Sequence, residues 1–229
     1  GLLDPDGARR LTAQALGRCD DGELYLQYRA SESFGFDDGR LKTADYSTDA
    51  GFGLRGVSGE MTGFAHANDL SEAAIAKAAQ TLTLLDPAKD QPAPPPQRTN
   101  RHLYTDANPL EIVPFAEKVS LCAEIDAAAR ARDPRVAQVS VSLAGSWSVV
   151  EIVRADGFTA TDIRPLVRLN CSVLLEQGDR RERGSAGAGG RYAYSFFKQD
   201  ENGKPYFEQL ADDALHMARV NMQSVASPA

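Results

Sequence analysis

Residues 161–197 read TDIRPLVRLNCSVLLEQGDRRERGSAGAGGRYAYSFF, and the choice of fold depends on that stretch. Pro165, Val167, Leu169, Cys171, Val173 and Leu175 alternate with Leu166, Arg168, Asn170, Ser172 and Leu174. The first set is almost wholly apolar. A spacing of two carries it to one face, as a half-buried strand requires. Arg180, Arg181, Glu182 and Arg183 then lead into Gly184-Ser-Ala-Gly-Ala-Gly-Gly190. Glycine permits positive φ and close backbone approach, so this run is expected to be a loop able to present bare N–H groups to a ligand or partner. A flexible hairpin connection is the plainer reading. Tyr192 to Phe197, which follows, reads as a strand-like aromatic segment.

On the amino-terminal side, Asp4-Pro5-Asp6 marks a helix start, with Asp4 as N-cap, and Gly17 can end that helix. Glu23 to Ser33 alternates like a strand. Asp37-Asp38-Gly39 is a hairpin turn, because Asp-Gly tolerates positive φ. Return strands are expected over Leu41–Tyr46, Gly51–Val57 and Met61–His66. At Asp69 the period changes to that of a helix. Asp69 and Glu72 form a capping-box-like pair, and an apolar stripe runs from Leu70 to Leu85. The proline-rich run 88–97 is an extended connector. A second helix starts near Pro114 and stops before Asp133-Pro134. Strands over Val136–Leu143 and Ser148–Ala155, a turn at Asp156-Gly157 and a final helix from about Pro205 complete the pattern. The fold class is therefore α+β: antiparallel sheets of hairpin meanders flanked by helices, with an internal duplication. Residues 1–90 form the first helix-meander-helix unit, 91–108 the connector and 109–229 the second unit.

The 229 residues are 42% apolar and 25% charged, an ordinary globular composition with ample length for a core. A net charge of −7 argues against direct nucleic-acid binding, which depends on neutralising phosphates. No run of 18 apolar residues or signal-peptide core occurs, which speaks against a membrane partner. Cys19, Cys122 and Cys171 are odd in number and set in apolar surroundings, as buried thiols of a reducing cytosol would be.

The usual catalytic constellations are missing. His66, His102 and His216 have no partner at the H-E-x-x-H spacing of a zinc site. Gly145-Ser146-Trp147-Ser148 lacks the spacing of a nucleophile elbow. The glycine run lacks a P-loop ending, and Tyr192 stands where G-x-G-x-x-G needs its last glycine. Asp37 with Asp38 reads as a turn, and Asp212 with Asp213 as a helix surface.

Two blocks, Ser31–Ser71 and Arg164–Phe197, resemble the amino-terminal half of the TldD branch of the TldD/PmbA family, above all in the run R-R-E-R-G-S-x-G-x-G-G-R. Pro114–Val136 and Met217–Ala229 fit the same pattern. The resemblance implies a cytoplasmic zinc-dependent peptidase acting on unfolded peptides, paired with a PmbA (TldE)-like subunit or self-associating. An older family name refers to modulation of DNA gyrase. It also implies that the metal motif, H-E-x-x-x-H with a further cysteine, lies in a carboxy-terminal half that these residues do not reach. No catalytic or metal-binding residue and no cofactor is therefore expected in this chain, with zinc belonging to the complete protein. The expected role is chamber wall and subunit contact, with Arg181, Arg183, Gly184, Gly189, Gly190 and Arg191 as substrate or partner contacts. A stand-alone module that binds peptide or protein without hydrolysis is the alternative.

Overall fold

The computed structural model of the chain describes residues 2–83, 103–201 and 203–225. The proline-rich run 88–97, His102 and the first part of the 91–108 connector lie outside them.

Asp4 caps α1 (Pro5–Leu16), its Oδ2 accepting from the Gly7 N–H at 2.8 Å, with Pro5 at the first helical position. There follow β1 (Asp21–Asp37), β2 (Arg40–Ser58), β3 (Met61–Ala67) and α2 (Glu72–Leu82). Asp38 and Gly39, at φ 46° and 72°, make the turn between β1 and β2. Next come α3 (Pro109–Ile112), α4 (Phe115–Arg132), β4 (Val136–Arg154), β5 (Thr159–Gln177) and β6 (Arg180–Gly190). A 3-10 turn (Tyr194–Lys198), the short pair β7 (Asp200–Glu201) and β8 (Lys204–Pro205), and α5 (Tyr206–Gln223) complete the described elements.

Six strands form one antiparallel sheet in the order β3-β2-β1-β4-β5-β6. Four details depart from the sequence reading. The segments 41–46 and 51–57 are one strand, as are 136–143 and 148–155. Gly145 lies inside β4, and glycine stands there because a Cβ would overlap the Tyr194 hydroxyl. The glycine run is strand β6, paired with β5 from Gln177↔Arg180 to Val167↔Gly190, and the hairpin turn is Gly178-Asp179 at its start. The aromatic segment winds into the 3-10 turn instead of extending. Finally, Ser71 caps α2, accepting from Ala74 N–H at 3.2 Å, while Asp69 holds the Ser71 N–H and hydroxyl at 2.9 and 3.0 Å.

The residues gather into two compact units, within 1–30, 48–103 and 148–164, and within 31–47, 104–147 and 165–229. In the first, α1 packs on α2 and α2 on β3. Leu24, Leu26, Phe52, Leu54 and Ile75 form its buried centre. In the second, α4 packs on α5 and α5 on β6. There Val167, Leu169, Cys171, Val173 and Leu175 of β5 are all buried, against Val139, Val141, Leu143, Ile125 and Leu215. Burying each Leu or Val contributes about 2 kcal/mol before entropy is counted. Along the chain, helix on helix and the second helix on the third strand occur twice, α1 on α2 with α2 on β3, and α4 on α5 with α5 on β6.

Candidate functional site

The five apolar residues of β5 face the helices, so Arg168, Asn170 and Ser172 lie on the opposite face of the sheet. Ser140 and Ser142 of β4 and Asp37 at the end of β1 join them there. Except for Arg168, these residues line, together with Lys42 and Ser185, a concavity of about 360 Å³ within the second unit. Asp37 Oδ1 accepts from Ser140 Oγ at 2.8 Å and from Gln138 Nε2 at 3.0 Å. These bonds, and secondarily the positive charge of Lys42 and Arg183, hold its carboxyl below the usual range. Asn170 Nδ2 donates to Ser142 Oγ at 3.1 Å. The floor therefore sets hydroxyl and amide groups and one carboxylate into a mostly apolar surface that Phe36, Val141 and Cys171 also line, and it lacks a nucleophile–base pair.

The glycines of β6 have steric reasons of their own. A Cβ on Gly184 would overlap the Ala214 carbonyl and the Ala218 N–H of α5, so glycine here lets helix and strand touch. At Gly187 it would strike Asn170 Oδ1, at Gly189 the Val167 carbonyl, and at Gly190 the Tyr192 ring. None of Gly184 to Gly190 has positive φ. The run is glycine-rich because other groups come close to it, and it does not cradle a ligand in a loop.

The arginines spread apart. Arg181 pairs with Glu176 at 3.1 Å. Arg191 donates to the Pro165 carbonyl at 3.2 Å and lies 5.5 Å over the Tyr104 ring. Arg183 is exposed, and its carbonyl accepts from Asn221 Nδ2 at 2.8 Å. Arg180, not anticipated from the sequence, donates to the Asn221 and Ser224 carbonyls at 2.9 and 2.8 Å and so closes the carboxy end of α5. The Asp37 site was also missed. Its signal was the Ser140 and Ser142 hydroxyls interleaved with Val139, Val141 and Leu143.

Elsewhere in this unit, Lys118 is 3% exposed and donates to the Leu110 carbonyl at 2.7 Å. Its Nζ lies 2.6 Å from Glu32 Oε1 and 5.2 Å from the Tyr194 ring centre. Burial, and then Glu32, push the Tyr194 hydroxyl far above its ordinary value, so it stays neutral.

The donor set does not suit zinc. Among the described residues no three His, Cys, Asp or Glu side chains gather to hold a metal ion. Burial pushes the thiols of Cys122 and Cys171 up to about 12, whereas a zinc ligand must be a thiolate. No described helix is long and apolar enough to cross a membrane.

These features define an α+β scaffold with a polar sheet face. Residues 22–85 match the family described as PmbA/TldA metallopeptidase domain 1, and residues 108–222 match the PmbA/TldA metallopeptidase central domain. The chain is 38% identical over 219 residues to a metalloprotease TldD homolog of Haemophilus influenzae, covering 92% of this chain and 44% of that protein. A Buchnera aphidicola (subsp. Schizaphis graminum) TldD homolog is 37% identical over 213 residues, with 91% and 44% covered. The chain therefore belongs to the PmbA/TldD metallopeptidase family, and it spans less than half the length of these relatives. The fold is shared with TldE from Thermococcus kodakarensis, at TM-score 0.68 and 15% identity over 93% of this chain and 47% of that one. It is shared too with a Thermotoga maritima protein described as a candidate modulator of a DNA gyrase, at TM-score 0.72 and 17% identity, covering 97% and 49%.

Proposed function

We propose that this chain is the non-catalytic amino-terminal part of a TldD-like zinc metallopeptidase that works in the cytoplasm on unfolded peptides. It supplies chamber wall and subunit contacts, and its partner is a PmbA (TldE)-like subunit or another copy. The observation that carries this reading is the match of domain 1 and the central domain to 44% of a metalloprotease's length. Zinc in the complete protein would supply the activated water. The residues of this chain would bind and orient. Arg183, exposed on β6, is free to take up a peptide carboxylate, and Arg181 and Arg191 would act at its flanks. In this role Gly184, Gly189 and Gly190 hold the strand that carries the arginines.

The purified chain should contain near-zero zinc and hydrolyse no peptide by itself. In the complete protein, Arg183→Ala with Arg191→Ala should lower peptide turnover about tenfold, the loss of a charge-assisted contact. Stoichiometric zinc held by this chain, or hydrolysis by it alone, would overturn the reading. Unchanged turnover in the folded double variant would remove the arginines from it.

The concavity beside Asp37, with hydroxyls set in a mostly apolar lining, favours a second reading, a module that binds extended polypeptide without cleaving it. Retention of an unfolded polypeptide by the chain alone, lost on Ser140→Val with Ser142→Val, would support that alternative.

A further inference from the structure

In the first unit, Leu24, Leu26, Phe52 and Leu54 face the core, so the residues between them lie on the other face of the sheet. There the middle strand, β2, carries two glycines, Gly51 and Gly53. Gly53 pairs with His66 of β3. On the β1 side, Arg55 bonds Glu23 at 2.7 Å and Ser47 Oγ lies 2.9 Å from Ser31 Oγ. The same offset sets Gly53 beside Tyr25 and Asp49 beside Arg29. Side chains thus stand on both sides of a bare stretch of backbone, and a trough of about 260 Å³ results. Sites for drug-sized ligands run to roughly 300–1,000 Å³, so this one suits a smaller molecule.

The two glycines have different causes. A Cβ on Gly51 would strike the Ala67 carbonyl, so close backbone accounts for it. A Cβ on Gly53 would meet only the Phe64 ring, at 3.3 Å, and Phe64 is 61% exposed, with room to turn aside. Glycine inside a strand weakens it, and a ligand lying close to the backbone is one reason for its presence. The rings of Phe64 and His66, centroids 5.8 Å apart and tilted by 31°, add aromatic surface to the trough. Arg29 and Asp49 line it as well, and among the described residues neither has an ion-pair or hydrogen-bond partner. Aromatic surface, one free cation and one free anion therefore share a single small site.

We propose that this trough binds an aromatic amino acid in its zwitterionic form. The ring lies along the glycine floor between Tyr25 and His66, in offset or edge-on contact with the aromatic side chains. Arg29 donates to the carboxylate, and the ammonium donates to Asp49. A ring with both charges answers all three features at once, whereas a purely apolar ligand would leave Arg29 and Asp49 unused. The trough belongs to the first unit and uses none of the residues invoked for peptide turnover, so it stands whether or not the peptidase reading does.

Isothermal titration calorimetry of the chain with L-phenylalanine is the test. A Kd of about 1 mM or tighter is expected for a ligand of that size. L-Alanine, which lacks the ring, and phenethylamine, which lacks the carboxylate, should each bind at least about tenfold more weakly. Gly53→Val fills the floor with a residue that suits a strand and should abolish binding, with circular dichroism confirming the fold. Arg29→Gln, at an exposed position outside the core, keeps the test open if valine disturbs the strand. It should bring L-phenylalanine down to the level of phenethylamine, a loss of selectivity that misfolding would not produce. No binding at about 10 mM L-phenylalanine would overturn the proposal. So would equal affinity for L-alanine, or an Arg29→Gln variant that still prefers the amino acid to the amine.

Discussion

Asp133, 4% exposed at the end of α4, accepts from Arg135 at 3.0 and 2.8 Å and from Arg219 at 2.8 Å. The Arg135 guanidinium, aided by Arg219, holds this carboxyl well below the usual carboxylate range. Its folded value lies below the unfolded value of about 3.9, so the unfolded chain takes up the proton first. The stabilisation is therefore complete above the unfolded value and lost as pH falls through the folded one. The urea midpoint should hold steady at neutral pH and fall below about pH 4.5, and Asp133→Asn should flatten that fall. At neutral pH the same change should cost little, no more than about 1 kcal/mol, because the two arginines it leaves short of an anion are 37% and 41% exposed and reach water. Gly184→Ala should be worse tolerated than Gly157→Ala, as thermal melts would show. The first drives a Cβ into α5 backbone, while Gly157, at φ 83°, has open space around it and only its conformation to lose. Asp4 as a cap was legible in the sequence because its oxygen acts three residues away. The reason for Gly184 was not, because the atoms it makes room for lie some thirty residues further along the chain.

Among the elements, α4 and β1 meet at Lys118 and Glu32, which are 3% and 10% exposed. Removing the cation alone strands a carboxylate beside the Tyr194 and Phe34 rings. Lys118→Met should therefore cost about 3–5 kcal/mol in urea unfolding, and adding Glu32→Gln should return most of it. If the two losses simply add, the pair is not coupled and the clamp is wrongly assigned. The start of α2 gives a smaller measure. Ser71→Ala should lower stability by about 1 kcal/mol through loss of the side-chain cap. The strand from Val167 to Leu175 was readable from its spacing of two, whereas α4 was readable from its ends, Pro114 and Asp133-Pro134. The edge strand β6 was not, because a run of glycine and alanine carries no alternation of polarity. What makes it a strand is its ladder with β5, a partner that composition does not reveal.

At the scale of the whole molecule, β1, β2, β4 and β5 each give residues to both compact units. Leu24 belongs to the core of the first and Leu169 to that of the second, and neither is measurably exposed. A chain made of separable domains would lose one core while keeping the other, and each substitution would move its own transition. Strands that run without interruption from one core to the other remove that freedom, because fraying half of a ladder exposes backbone groups along the remainder. Urea unfolding followed by far-ultraviolet circular dichroism and by tryptophan fluorescence should thus give coincident single transitions. Leu24→Ala and Leu169→Ala should each shift that one transition, by about 3 kcal/mol, the usual cost of emptying a buried leucine site. Two resolved transitions, each answering to only one of the substitutions, would mean that the strands part between the cores and that the units fold independently.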